Sequence, residues 1–300
     1  ALGGIDYLHY GYWDIKTKPT IGGLFKAQDK HTKELLNLLD KRAAAIKKNR
    51  SKKNKSKTVK TKTLRILDIG CGSGKILSEL LEKGYQADGM VPSDCLYEAS
   101  CDNVNEIKLS KNKTHAENAK NCKVYKCYLE DFYTNTPKVK YDILLFSESF
   151  QYIKYKLLYE NIDKLLDDNG EIIISDFFAK EKSQGAANFG GGHLLNKFYA
   201  DTKNSGIKII SDKDITKYMA PNLDLLHDIL MDKLLPSSRL LDEFLKTRGR
   251  FIYSVLKFLG RKSLKKINYK YFSGQRTAKE FSKSKSYRML VLSNKLHNSK

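Results

Sequence analysis

Three hundred residues, 41% of them hydrophobic, suffice to bury a substantial core, and they predict one domain with a cap rather than two independent units. The formal charge of +21 is concentrated: residues 47–65 and 248–279 each carry ten Lys or Arg and no acid, which leaves 35 basic against 34 acidic residues elsewhere. No stretch approaches the roughly 20 apolar residues that cross a bilayer and no signal peptide opens the chain, so a soluble, cytoplasmic protein is expected.

Ala1 in place of Met points to a trimmed or processed start. Five cysteines (Cys71, Cys95, Cys101, Cys122, Cys127) form no paired zinc-ligand pattern, and their odd number argues against a disulfide framework. Reduced thiols and no metal site are expected. The implied organisation is an N-terminal lid and helix over 1–46, a basic linker over 47–63, and a core over 64–300 that includes a helical cap at about 177–272.

The chain opens on an aromatic segment, Tyr7-Leu8-His9-Tyr10-Gly11-Tyr12-Trp13-Asp14. Such a glycine-hinged run either lies over a ligand or anchors the helix that follows, predicted from Gly23 to Lys41. The first basic run comes next and is poor in apolar residues and rich in Ser, Thr and Asn, which describes a solvated linker. It would contact RNA or anionic lipid only through a salt-sensitive attraction.

Residues 64–74, LRILDIGCGSG, carry the most information. Leu64, Ile66, Leu67 and Ile69 predict a strand buried on both faces, and Gly70, Gly72 and Gly74 a turn tight enough for a ligand to lie against the backbone. A helix then starts near Lys75, directing free N–H groups at the crevice. The spacing fits neither G-x-G-x-x-G nor G-x-x-x-x-G-K-[ST].

This segment resembles the first motif of the class I S-adenosylmethionine-dependent methyltransferases, strand then Asp/Glu-x-Gly-x-Gly-x-Gly then helix, with Asp68, Gly70, Gly72 and Gly74 matching. The resemblance implies that Asp68 holds the methionine amino group, that Gly70, Cys71, Gly72 and Gly74 admit the methionyl and ribose parts, and that S-adenosylhomocysteine is the product. It also implies an α/β, Rossmann-like seven-stranded sheet whose last strand is antiparallel, with an N-terminal lid segment and a helical cap between strands 5 and 7. The strands are predicted at residues 64–69, 85–90, 123–129, 141–147, 170–175, 207–210 and 287–292.

In such sheets ligands lie outside the carboxyl ends of the strands. After the second strand the family places an acid on the ribose, but Val91 stands there, leaving Ser93, Asp94 or a water to make the contact. After the third, Glu130, Asp131 and Phe132 resemble the adenine-binding segment, with Asp131 assigned to the amino group and Leu129 or Phe132 flanking the base. After the fourth, Ser147-Glu148-Ser149-Phe150-Gln151-Tyr152 resembles the stretch that cyclopropane-synthase-like and amine N-methyltransferases write with Glu-His in place of Gln151-Tyr152.

That replacement removes an obvious general base, because Gln does not titrate and Tyr has a reference pKa of about 10. Amine, thiol or carbanion acceptors therefore fit better than an alcohol. The opening His9-Tyr10-Gly11 run resembles the lid of small-molecule and lipid methyltransferases, which marks Tyr10, then His9, as contacts to donor or acceptor and adds Tyr12 to the cofactor side. Glu148, Tyr10, His193 and Tyr152 are the candidate catalytic residues.

Past the fifth strand, Asp176-Phe177-Phe178 leads to Phe189-Gly190-Gly191-Gly192-His193, where His193 either orients an acceptor or lies on the surface. Residues 222–235 and 239–259 carry apolar positions at helical spacing, with Leu241, Phe244, Leu245, Ile252, Val255, Leu256 and Leu259 near one face, and read as cap helices. Their basic side would attract an anionic substrate or a membrane surface.

Three functions compete. The first is methyl transfer from S-adenosylmethionine to a small-molecule or lipid-like, possibly anionic acceptor, with N-, S- or C-methylation ahead of O-methylation. The second is an RNA or DNA methyltransferase using the basic runs, against which stands the lack of Asn/Asp-Pro-Pro-aromatic after the fourth strand. The third is a non-catalytic binding protein on a relic fold.

Overall fold

The computed structural model describes residues 9–53, 63–134, 139–180, 189–248 and 250–294, with only the backbone given for 53, 250–260 and 294. Tyr7, Leu8 and residues 54–62 of the basic linker lie outside the described residues.

Seven strands form one sheet: β1 (Arg65–Ile69), β2 (Gln86–Met90), β3 (Val124–Tyr125), β4 (Tyr141–Ser147), β5 (Leu166–Ala179), β6 (Ile207–Asp214) and β7 (Lys285–Asn294), in the order β3-β2-β1-β4-β5-β7-β6. The first five run parallel, and β7 lies antiparallel between β5 and β6. The helices, in chain order, are α1 (Ile21–Lys53), α2 (Lys75–Glu82), α3 (Asp94–Lys108), α4 (Lys113–Asn121), α5 (Leu129–Phe132), α6 (Tyr155–Glu160), α7 (Ile162–Leu165), α8 (Leu195–Asn204), α9 (Thr216–Met219), α10 (Pro221–Asp228), α11 (Leu235–Arg248), α12 (Arg250–Tyr271) and α13 (Ala278–Ser284).

Alternation along the strands feeds two cores, one on each side of the sheet. Ile66, Ile143, Leu145 and Ile173 pack on the face shared with α1 and α2, whereas Leu67, Leu144, Phe146, Ile172 and Ile174 pack on the other. Burial on both faces explains why these strands read as nearly continuous apolar runs.

The strand positions match the expected ones, apart from a third strand that leaves the sheet after Tyr125 and a fifth and sixth that run longer. The N-terminal helix continues to Lys53 rather than ending at Lys41, so the start of the expected linker is helical. Its face repeats Leu35, Leu36, Leu39, Ala43 and Ile46 against the sheet. Beyond that face, Arg42 donates two hydrogen bonds to Glu171, and Arg50 bridges Asp142 and Asp167 at the edge of β4 and β5. Part of the basic run is therefore an internal fastener.

The helices expected to cap the sheet follow β6. Ala220, Leu223 and Phe281 of the α10–α13 region pack together beside Tyr10, Phe177 and Phe189. By contrast, α11 buries none of its residues, and Leu241, Phe244 and Leu245 stand 58%, 56% and 45% exposed. These positions are expected inside the cap; α11 packs chiefly along α12 and the turn at Ile229–Leu234 before it, and among the described residues that face stays exposed. The side chains of Ile252, Val255, Leu256 and Leu259 lie outside the described residues.

Candidate active site

The crevice lies at the carboxyl ends of β1, β2 and β4, where strand order reverses. The loop after β1 is drawn onto β2 by hydrogen bonds from the N–H groups of Gly70 and Cys71 to the Met90 carbonyl at 2.8 and 3.0 Å. Gly70 has φ +80°, and a Cβ there would lie 2.4 Å from the Ser149 Cβ, so neither the conformation nor the space admits another residue. Ser149 also donates to the Ile69 carbonyl at 2.5 Å, joining the ends of β1 and β4 behind the loop.

Asp68 is 1% exposed, and neither carboxylate oxygen has a hydrogen-bond partner among the described residues. Burial pushes its pKa up to about 7. A buried, unpartnered carboxylate is costly unless a cation or donor completes it. Asp68 lines a cavity of about 680 Å³, so the missing partner has room to be a ligand.

Gly70, Cys71, Gly72, Val91, Ser93 and Ser147 share that cavity wall with Asp68, and Tyr10, Glu148 and Tyr152 line it too. Burial drives the Cys71 thiol well above its ordinary pKa, so it is a neutral group, with Sγ 3.6 Å from the buried Ser100 Oγ. A second cavity of about 590 Å³ shares Gly70, Pro92, Ser149 and Tyr152 with the first and continues to Leu129, Glu130 and Asp131. Together they make one crevice, with carboxylates at both ends and the apolar side chains of Ile69, Met90, Leu129 and Ile153 in the second part.

Five candidates lie elsewhere. Gly74 turns the chain into α2, with Ser100 against it. Asp94 pairs with Lys126 and stands exposed, which leaves Ser93, the residue before α3, as the polar side chain after β2 that lines the cavity. Phe132 packs on Tyr125, and Tyr12 stacks on Tyr218 with ring centroids 4.4 Å apart; both are core residues. His193 directs Nε2 at the Phe150 carbonyl, 3.0 Å away, and sits edge-on to Phe150 and Tyr155, so it braces the turn after β4 instead of meeting the cavity.

Glu148 has φ +54°, an uncommon conformation for a side chain of its size. Three hydrogen bonds hold it: its N–H donates to the Ser175 carbonyl at 2.9 Å, and its Oε1 accepts from the Tyr10 N–H at 2.8 Å and the Tyr287 hydroxyl at 2.7 Å. Both side-chain bonds fall on Oε1, which leaves Oε2 for the cavity. Burial raises the Glu148 pKa to about 7. Behind it, burial and then the charge of Glu148 lift Asp176 to about 8, while Asp176 accepts from the Gln151 and Phe177 N–H groups.

Sequence reading missed His31 and Tyr287. His31 is fully buried on α1; its Nε2 lies 2.9 Å from Ser175 Oγ and its Nδ1 3.1 Å from His9 Nδ1. His9 Nδ1 donates to the Tyr10 carbonyl and its Nε2 lies 3.0 Å from Thr32 Oγ1, while burial lowers both pKa values and so favours neutral rings. Asn222 on α10 holds Gly11 by its N–H and its carbonyl. The aromatic opening segment is thus a strap fastened from two helices, with Tyr10 over Glu148. At the opposite lip, the buried Lys285 ammonium donates to the carbonyls of Gly190 and Gly191, fixing the glycine loop against Phe177.

A family model described as a methyltransferase domain matches residues 60–206. The ubiquinone biosynthesis O-methyltransferase of Bradyrhizobium diazoefficiens is 26% identical over 160 residues, 53% of this chain, and the match spans just over half, 57%, of that relative's length. Among solved structures, a putative sarcosine dimethylglycine methyltransferase from Galdieria sulphuraria superposes with TM-score 0.61 at 14% identity, covering 98% of this chain and 94% of the other. A geranyl diphosphate C-methyltransferase from Streptomyces coelicolor gives 0.60 at 12% identity, with 98% and 94% covered. The [4+2]-cyclase SpnF gives 0.57 at 13%, with 98% and 90% covered. At these identities the likeness is one of fold.

Proposed function

We propose, from the membership of residues 60–206 in the methyltransferase domain family, that this chain transfers a methyl group from S-adenosylmethionine to a small-molecule acceptor. The carrying observation is Asp68, whose carboxylate is buried without a partner on the wall of the cavity beside the glycine turn. An ammonium group there supplies the missing counter-charge, as the methionine end of the donor would. In this reading the second cavity, lined by Leu129 and Asp131, takes the adenine, and Ser93 on the wall of the first makes the ribose contact.

When bound, the donor supplies a sulfonium methyl group with a good leaving group, so the protein's own tasks are alignment and exclusion of water. Tyr10 and the strap close one side, and Phe177, Phe189 and the glycine loop close the other. Glu148 is the proton acceptor of the acceptor half. With a pKa of about 7 and Oε2 clear of protein bonds, it is ionised often enough to take a proton from an attacking amine.

An amine acceptor fits this lining best. Besides Glu148, with Asp176 just behind it, the lining includes the rings of Tyr10, Tyr152, Phe177 and Phe189, and aromatic faces with a carboxylate favour a cation. Acceptor screening tests the reading: S-adenosylhomocysteine release with primary and secondary amines is expected to exceed release with phenols or thiols. Binding of S-adenosylmethionine without turnover on any of them would leave the protein a binder on a methyltransferase fold.

A further inference from the structure

We propose that the α11–α12 helix pair docks this protein on the surface of an anionic lipid bilayer. On α11, Leu240, Leu241, Phe244 and Leu245 stand exposed at spacings that place them on one face, whereas Asp242 and Glu243 fall on the other side of the helix. A contiguous apolar stripe left in water marks an interaction surface. On α12, Leu264 and Ile267 share one side and Tyr269 lies on the other, all exposed and interleaved with exposed Arg261, Lys262, Lys265, Lys266 and Lys270.

Charge decides the occupant. Residues 248–279 hold ten basic side chains and no acid, in a protein whose remaining charges nearly balance outside the other basic run. Two copies meeting through this face would oppose those charges to one another. A nucleic acid would satisfy the lysines but leave the leucine face in water. An anionic bilayer satisfies both, with apolar side chains at the acyl boundary and ammonium groups at the headgroups. Among the described residues no helix is long and apolar enough to cross a membrane, so the pair lies on the surface.

The two ends of the pair are rooted in the roof of the cavity: Asp224 on α10 accepts the Ala278 N–H at 2.7 Å, and the Arg276 guanidinium after α12 stacks over Phe189, a lining residue, and over Tyr271.

Vesicle flotation of the full chain tests this. Binding is expected to vesicles of phosphatidylcholine mixed with phosphatidylglycerol, but not to phosphatidylcholine alone, and to fall as salt rises. Lys265→Ala/Lys266→Ala is expected to weaken binding about 30-fold, and Leu241→Glu/Phe244→Glu to abolish it. Because α11 buries nothing, both variants should keep the wild-type melting temperature and S-adenosylmethionine affinity. The proposal is overturned by absence of vesicle binding, by undiminished binding of both variants, by RNA binding without vesicle binding, or by a dimer that Phe244→Glu dissociates.

Discussion

The Tyr287 hydroxyl lies 2.7 Å from Glu148 Oε1, tying the last strand of the sheet to the strained turn after β4. The antiparallel β7 thus supplies, from behind the crevice wall, a side chain that holds Glu148, and Glu148 is set by two elements remote in sequence.

Removing that hydroxyl tests its role. A hydrogen bond to the ionised form lowers a carboxyl pKa, so Tyr287→Phe should raise the Glu148 pKa above its present value of about 7, by about one unit. The acid limb of the pH–rate profile is expected to move up accordingly, with kcat falling more than KM changes. An unshifted limb would separate Tyr287 from Glu148.

Glycine at position 70 is required by both conformation and space. Gly70→Ala places a Cβ 2.4 Å from the Ser149 Cβ at φ +80°, whereas Gly84→Ala at φ +86° meets nothing within 4 Å. The first is expected to cost about 3 kcal/mol and most of the S-adenosylmethionine affinity, the second about 1 kcal/mol with affinity unchanged. Thermal denaturation and calorimetric titration distinguish them.

Stability of the unliganded protein should depend on pH in two opposite ways. Asp68, Glu148 and Asp176 have folded pKa values of about 7, 7 and 8, above the ordinary values of 3.8 and 4.5, so the unfolded chain releases their protons first. Their ionisation therefore destabilises the fold as pH rises towards 8. His9 and His31 are depressed below 6.5, so the unfolded chain binds their protons first and stability falls as pH drops below 6.5. Melting temperature is expected to decline from pH 6.5 to 8.5, and saturating S-adenosylmethionine should flatten that decline by pairing Asp68. A profile that is flat over this range without ligand would contradict the burial of the three carboxyls.

The crevice was legible where one continuous segment builds it. Leu64 to Gly74 holds strand, acid and turn within eleven residues, and burial on both faces makes β1 and β4 conspicuous. His31 and Tyr287 were not legible, because each sits in an amphipathic or apolar run whose periodicity accounts for it fully; only the sheet order brings them to Ser175 and Glu148. His193 misled for the converse reason, since a titratable residue after glycines looks functional until the aromatic cluster around Phe150 is assembled. The apolar positions of α11 suggested a covered cap because helical spacing reports a face without saying what lies against it.

The central claim is that Asp68 receives the amino group of the methyl donor, and calorimetric titration of S-adenosylmethionine into wild-type protein and Asp68→Asn tests it most directly. Loss of the charge-assisted contact should weaken binding by about 100-fold, while the melting temperature of the unliganded variant equals or exceeds that of the wild type because a buried carboxylate has been removed. Equal affinity in the two proteins would contradict the account.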